Sequence, residues 1–307
     1  MFLYDRVVRQ PSHIGSAPDL STSTRRSFLT IVAGSALLAA CGGSDGEGGG
    51  AAATTAAPDG LATMRFMAEP SVQTGADRRI VFGLADLDGS LRVGGPAEIA
   101  AVLLDKNDAE IASVTARRHD SGLPRAYYVA RVDLPADGPY LLRLTVDGDT
   151  ADLNFSATPA EAIPFPSVGS AMPGFDTPTL FEPRGVDPVC TRQPECSFHA
   201  ASLNEALRSG ERIAYLVGTP AFCQTAICGP ILDLMLQVAP DYPDIRFLHT
   251  EVYTDMTATT VAAGVEALKL SFEPVIFLID SNGSVVERLD VIVDDVELRT
   301  HLDALSA

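Results

Sequence analysis

The sequence predicts a multi-domain protein, an all-β domain followed by an α/β domain, carried behind an export leader. Three observations predict it. Between Leu61 and Ala157, short runs alternate apolar and polar residues and are parted by Asp-Gly turns. After Pro188 the period changes, and apolar strand-like runs alternate with helical patterns. Between these regions, Thr158 to Pro188 holds seven prolines, which exclude helix and central strand and predict an extended linker over 158–188.

The leader comes first. "STRRSFLTIVAGSALLAAC" places Arg25 and Arg26 ahead of a charge-free run that ends at Cys41. The run is shorter than the roughly 20 apolar residues that span a bilayer. Basic residues, a short apolar core and small residues before a cleavage point make an export signal over 1–40. Twin arginines favour the route that carries folded proteins. "LAAC" resembles a bacterial lipobox, which implies a lipidated Cys41 and a cell-membrane location on the extracytoplasmic side. Residues 41–60 are almost wholly Gly, Ala, Ser and Thr with a few acids, the composition of a flexible tether.

Charge narrows the partners. The chain carries 40 acidic and 22 basic residues, a net charge of −18. That argues against nucleic acid and against electrostatic attachment to anionic lipid, so membrane contact falls to the acyl chains on Cys41. Of the five cysteines, lipidation removes Cys41. Cys190, Cys196, Cys223 and Cys228 then stand in an oxidising compartment, where disulfides persist.

Within 61–157, "RRIVFGLAD", "AEIAAVLLD", "EIASVTARR", "AYYVARVDL", "YLLRLTVD" and "TADLNFS" read as strands. Tyr128, Ala130, Val132 and Leu134 share one face while Arg131 and Asp133 share the other. Six or seven such strands in about 95 residues predict an immunoglobulin-like sandwich. It carries no cysteine, which suits a spacer or contact module.

The region 189–307 reads in order as follows. "SLNEALRSG" is a short helix opened by Ser202, with Glu205 in capping-box position. "RIAYLVG" is a buried strand, and Ile231, Leu234, Met235 and Val238 mark a helix. "IRFLHTEV" is a strand and Thr259 to Leu268 a helix. "VIFLID" and "SVVERLDV" flank an Asn282-Gly283 turn, and "DDVELRTHLDAL" closes the chain as a helix. That order is βαβαββα.

This order, the cysteine pair in "TPAFCQTAICGP" after the first core strand, and "FEPVIFLID" together resemble the thioredoxin-like superfamily. The resemblance implies an α/β thioredoxin-like domain and thiol–disulfide chemistry at Cys223 and Cys228. It also implies that Pro274 is the cis-proline facing the catalytic cysteine, and that exported protein thiols or disulfides are the partners. It implies no cofactor. Two features depart from the family. Phe222 stands where thioredoxins have tryptophan, and four residues rather than two separate the cysteines. Five positions apart on a regular helix means about 7.5 Å of rise, beyond the roughly 7 Å between Cα atoms that a disulfide allows. A helix that starts late, helped by Gly229-Pro230, removes the conflict.

Other chemistries are open to these residues. The pair could be a structural bond on a binding module. Copper chaperones of this superfamily join a cysteine pair to a distant histidine, for which His249 and His301 are available. "CTRQPECSFH" offers Cys190, Cys196 and His199, but it lacks the usual zinc-ligand spacing and a fourth ligand. A Cys190–Cys196 structural disulfide is therefore expected, with no metal site.

Overall fold

Strict alternation along the N-terminal strands turns one side of each into core. The computed structural model describes residues 60–123, 125–223 and 227–307. The leader, Cys41 and nearly all of the tether lie outside them. Strands β1 (Ala62–Arg65), β2 (Gly75–Ala85), β3 (Glu98–Leu104), β4 (Glu110–His119), β5 (Tyr127–Leu134), β6 (Gly138–Val146) and β7 (Asp149–Ala157) form one sheet. Its order is β1-β2-β5-β4-β3-β6-β7, and every pairing is antiparallel. Along β6, Tyr140, Leu142, Leu144 and Val146 are buried while Arg143 and Thr145 are exposed. The β6–β7 turn needs positive φ at both central residues, and Asp147 and Gly148 supply it at 52° and 94°.

The expected two-sheet immunoglobulin-like sandwich is corrected here. The seven strands make a single continuous ladder that curls until its ends meet. Thr63 Oγ1 donates to the Asp152 carbonyl at 2.8 Å, joining the first strand to the last. The result is a nearly closed barrel. Alternation could not have told the two apart, because a sandwich strand and a barrel strand each bury one face.

The second sheet has the order β11-β10-β8-β9, from β8 (Arg212–Val217), β9 (Ile245–Thr250), β10 (Val275–Ile279) and β11 (Val285–Asp290). β8 and β9 are parallel and the remaining pairs antiparallel. The helices are α1 (Leu203–Arg208), α2 (Cys228–Val238), α3 (Ala263–Leu268) and α4 (Asp295–Ser306). Ser202 and Glu205 form the expected capping box on α1.

The expected α/β thioredoxin-like domain is also corrected. The described chain is mostly β, and its four helices have 6, 11, 6 and 12 residues. Two causes are visible. The helix expected from Thr259 forms only from Ala263, because threonine and aspartate side chains satisfy the local backbone instead. Asp255 accepts from the Thr257 N–H at 2.8 Å and from its hydroxyl, and that hydroxyl meets Thr259 at 2.8 Å. The proline-rich stretch takes up much of the sheet face that longer helices would cover. Its Ile163, Phe165, Met172 and Val186 pack with Ile213, Tyr215, Val275 and Phe277. Leu180 and Phe181 of the same stretch instead face solvent, Phe181 at 85% exposure.

The two sheets meet across a buried polar seam. Arg79 on β2 forms a bidentate pair with Glu297 on α4 at 2.6 and 2.7 Å. It also donates to the Asp290 and Ile292 carbonyls. Tyr127 donates to the same Glu297 at 2.5 Å and accepts from the Asp294 N–H. Burial opposes charge on Glu297, but the Arg79 guanidinium prevails and lowers its pKa to about 2. Among the described residues no helix is long and apolar enough to cross a membrane.

Candidate functional site

Two cysteine pairs lie near the C-terminal ends of β8 and β9. The first is bonded. Cys223 and Cys228 form a disulfide with Cα atoms 5.9 Å apart. The bond is compatible with a helix because only Cys228 belongs to α2, as its first residue, while Cys223 lies in the preceding loop. The helix starts two residues before Pro230, slightly earlier than the proline suggests. Cys223 is half-buried and Cys228 fully enclosed. The Cys228 N–H points at Cys223 Sγ from 3.2 Å, so a free N–H at the start of α2 already faces that sulfur.

Glu273 closes the inner side of this pair. Its Oε2 lies 3.7 Å from Cys228 Sγ and accepts from the Thr219 N–H at 2.5 Å. Burial pushes its pKa up to about 7, against the pull of the Thr219 N–H. The next residue is Pro274, and the Glu273–Pro274 peptide is cis. A Cβ placed on Gly218 would sit 3.3 Å from Pro274 Cβ and 3.7 Å from Cys228 Sγ. Gly218 thus lies between proline and cysteine, where a side chain would crowd Pro274 and reach ordinary contact with Cys228. Glu273 is a residue that sequence reasoning passed over, although it immediately precedes the singled-out proline.

The second pair corrects an expectation. Cys190 and Cys196 are free thiols, and no bond joins them. They turn instead toward two histidines. His249 Nδ1 is 3.5 Å from Cys196 Sγ and 4.0 Å from Cys190 Sγ. The same nitrogen is 3.1 Å from His199 Nε2. One ligand-type atom from each of the four residues lies within 4.8 Å of all the others. Cys190, Cys196, His199 and His249 are 0%, 3%, 1% and 2% exposed. The fourth member, missing from the "CTRQPECSFH" stretch, comes from β9.

The cluster is electrostatically organised. A hydrogen bond from Cys196 holds the Cys190 thiol far below its usual range, and the same bond pushes Cys196 up. Burial opposes charge on His249, yet hydrogen bonding to Cys190 and the field of Glu251 leave its pKa raised. His249 Nε2 lies 2.8 Å from the Gly218 carbonyl. A carbonyl only accepts, so Nε2 carries the hydrogen and the Nδ1 lone pair faces the thiols when the ring is neutral. This bond also links the two pairs, since Gly218 touches the disulfide region.

His301, the other histidine considered for copper, lies apart from both pairs, 2.9 Å from Arg131 Nη2 and 3.7 Å from Glu287. His249 serves the Cys190–Cys196 cluster. Compared with protein-family models and with curated proteins, the chain finds no match.

Proposed function

We propose that the protein is a thiol–disulfide oxidoreductase acting through Cys223 and Cys228 on exported protein thiols or disulfides. The observation that carries the reading is the asymmetry of the pair. One sulfur is accessible beside a helix N-terminus, and the other is enclosed against a carboxyl group whose pKa lies near 7. The resemblance of "TPAFCQTAICGP" to thioredoxin-like active sites supports the same activity.

In the reducing direction, the Cys223 thiolate attacks a partner disulfide and releases one partner thiolate. The helix start lowers the cost of that thiolate. Cys228 then passes its proton to Glu273 and attacks Cys223 Sγ, and the second partner thiolate leaves. One partner disulfide is reduced to two thiols as the protein dithiol becomes a disulfide, so electrons balance. Glu273 acts as the base for the enclosed thiol, a task that favours a pKa near ambient pH. The oxidising direction runs these steps backwards.

The test is a trapping experiment. Cys228→Ser should accumulate mixed disulfides between Cys223 and partners, whereas Cys223→Ser should accumulate few. A structural bond on a binding module would trap nothing in either variant and would resist reduction by glutathione-range potentials.

We also propose that Cys41 is lipidated and holds the chain at the outer side of the cell membrane. "LAAC" closing a charge-free run behind Arg25 and Arg26 supports this. Cys41→Ser should shift the protein out of the membrane fraction of a bacterial host. Retention there would defeat the anchor.

A further inference from the structure

We propose that Cys190, Cys196, His199 and His249 form a closed structural zinc site, independent of the redox pair. Without an ion the cluster is an unusual one. Two thiols and two imidazoles share a dry interior, and none of the four is more than 3% exposed. Buried thiols in an oxidising compartment ordinarily pair with each other, yet these two remain free.

The separations measured from His249 Nδ1 are close to those of a tetrahedral zinc centre, and all four ligand atoms lie within 4.8 Å of one another. Zinc bonds of about 2.3 Å to sulfur and about 2.0–2.1 Å to nitrogen set neighbouring ligand atoms roughly 3.3–3.8 Å apart. Around His249 Nδ1 the separations are 3.1 Å to His199 Nε2, 3.5 Å to Cys196 Sγ and 4.0 Å to Cys190 Sγ. Small shifts bring all three into range. Two thiolates and two neutral imidazoles around a divalent cation carry no net charge, which suits a buried site. Soft and borderline ligands in an S₂N₂ set select zinc over calcium or magnesium. With four protein ligands no position is left for substrate, so the centre is structural rather than catalytic.

An outer shell is in place on the His249 side, while His199 Nδ1 is buried without a hydrogen-bond partner among the described residues. The Gly218 carbonyl fixes the His249 ring by accepting from Nε2 at 2.8 Å. Glu251, two residues along the chain, anchors the Cys190 loop by accepting from the Thr191 N–H at 2.6 Å and its hydroxyl at 3.0 Å. The ion would staple the 190–199 loop onto β9. That does for the loop what a Cys190–Cys196 bond could not, because such a bond closes the loop only upon itself.

The test uses the full chain carrying Cys223→Ser and Cys228→Ser, so that the other pair offers no thiolate and redox failure leaves the result untouched. Purified without chelator, it should contain one zinc per chain. Cobalt(II) in its place should give the intense visible bands of tetrahedral thiolate coordination. Adding His249→Ala should weaken binding by more than the roughly 10–100-fold that outer-shell changes cost. Should that variant not fold, labelling of the parent decides. Chelator should expose Cys190 and Cys196 to alkylation, and zinc should protect them again. Equal labelling with and without chelator, octahedral cobalt, copper in place of zinc, or a native Cys190–Cys196 disulfide would each overturn the proposal.

Discussion

Cys223–Cys228 and Cys190–Cys196 are spaced almost alike along the chain, yet they end in opposite chemical states. The first pair, half-open to solvent, is bonded. The second, fully enclosed, is free and faces two histidines. Spacing therefore does not decide what two nearby cysteines become. Their neighbours do: a helix start and a carboxyl group on one side, imidazole nitrogens on the other. On the two proposals made above, the thiol beside an N–H and a carboxyl group serves exchange, and the thiol pair facing imidazole nitrogens serves a cation.

The contrast can be broken most forcefully at the accessible sulfur. Cys223→Ser should abolish disulfide exchange in an insulin-type reduction assay, while zinc content stays at one per chain. Loss of zinc in that variant would mean the two pairs form one site.

Glu273→Gln comes next. The resolving step should slow by about 10²-fold near neutral pH, the lower range for general acid–base contributions. The parent should show an inflection close to pH 7, and Glu273→Gln should lose it. Stability carries a second signature of known sign. A carboxyl group raised from 4.5 to about 7 on folding favours the fold below pH about 4.5, and that benefit is lost as pH rises through about 7. Denaturant titrations of oxidised protein should show this decline in the parent and not in Glu273→Gln.

Replacing both Cys190 and Cys196 by serine should leave exchange at Cys223 intact. In zinc-free protein it should lower stability by about 1–3 kcal/mol, through lost packing and polar groups left unpaired, and in zinc-loaded protein by more, because the ion's binding free energy goes with its two thiolates. An exchange rate that falls with this double change would tie the buried pair to catalysis.

The mildest change is Gly218→Ala, at the residue that touches both neighbourhoods. Its new Cβ would stand 3.3 Å from Pro274 Cβ, close enough to need a small shift, and in ordinary contact with Cys228 Cβ at 3.6 Å. A cost below about 1.5 kcal/mol is expected, along with a small change in the Cys223–Cys228 potential. An unchanged potential would show that the glycine spacing is not tuned to the pair.

Much of the strand content could be read from residues because an alternating run needs only its own side chains to declare a face. The turn at Asp147-Gly148 and the Ser202–Glu205 cap were equally local. What escaped reading was non-local. Barrel closure depends on β1 meeting β7, and no period in either strand encodes that meeting. The proline-rich segment reads as extended and its Ile163, Phe165, Phe175, Leu180 and Phe181 as packing along a domain surface, which Ile163, Phe165 and Phe175 do and the exposed Leu180 and Phe181 do not. The cluster at Cys190 needed His249, 59 residues away. Cys196 and His199, with two residues between them, were the available hint. Glu273 gained its interest only from burial, which no single residue announces.

The seam at Arg79 has a consequence for how the chain comes apart. If the barrel melted first, Glu297 would remain in the second sheet's shelter without its guanidinium. If the second sheet melted first, Arg79 would lose a carboxylate and two carbonyls together. Breaking such a buried pair from one side costs about 3–5 kcal/mol, so partly melted forms are penalised in either order. The barrel and the second sheet should therefore melt in a single cooperative transition, and a calorimetric enthalpy well above the van't Hoff value would refute this.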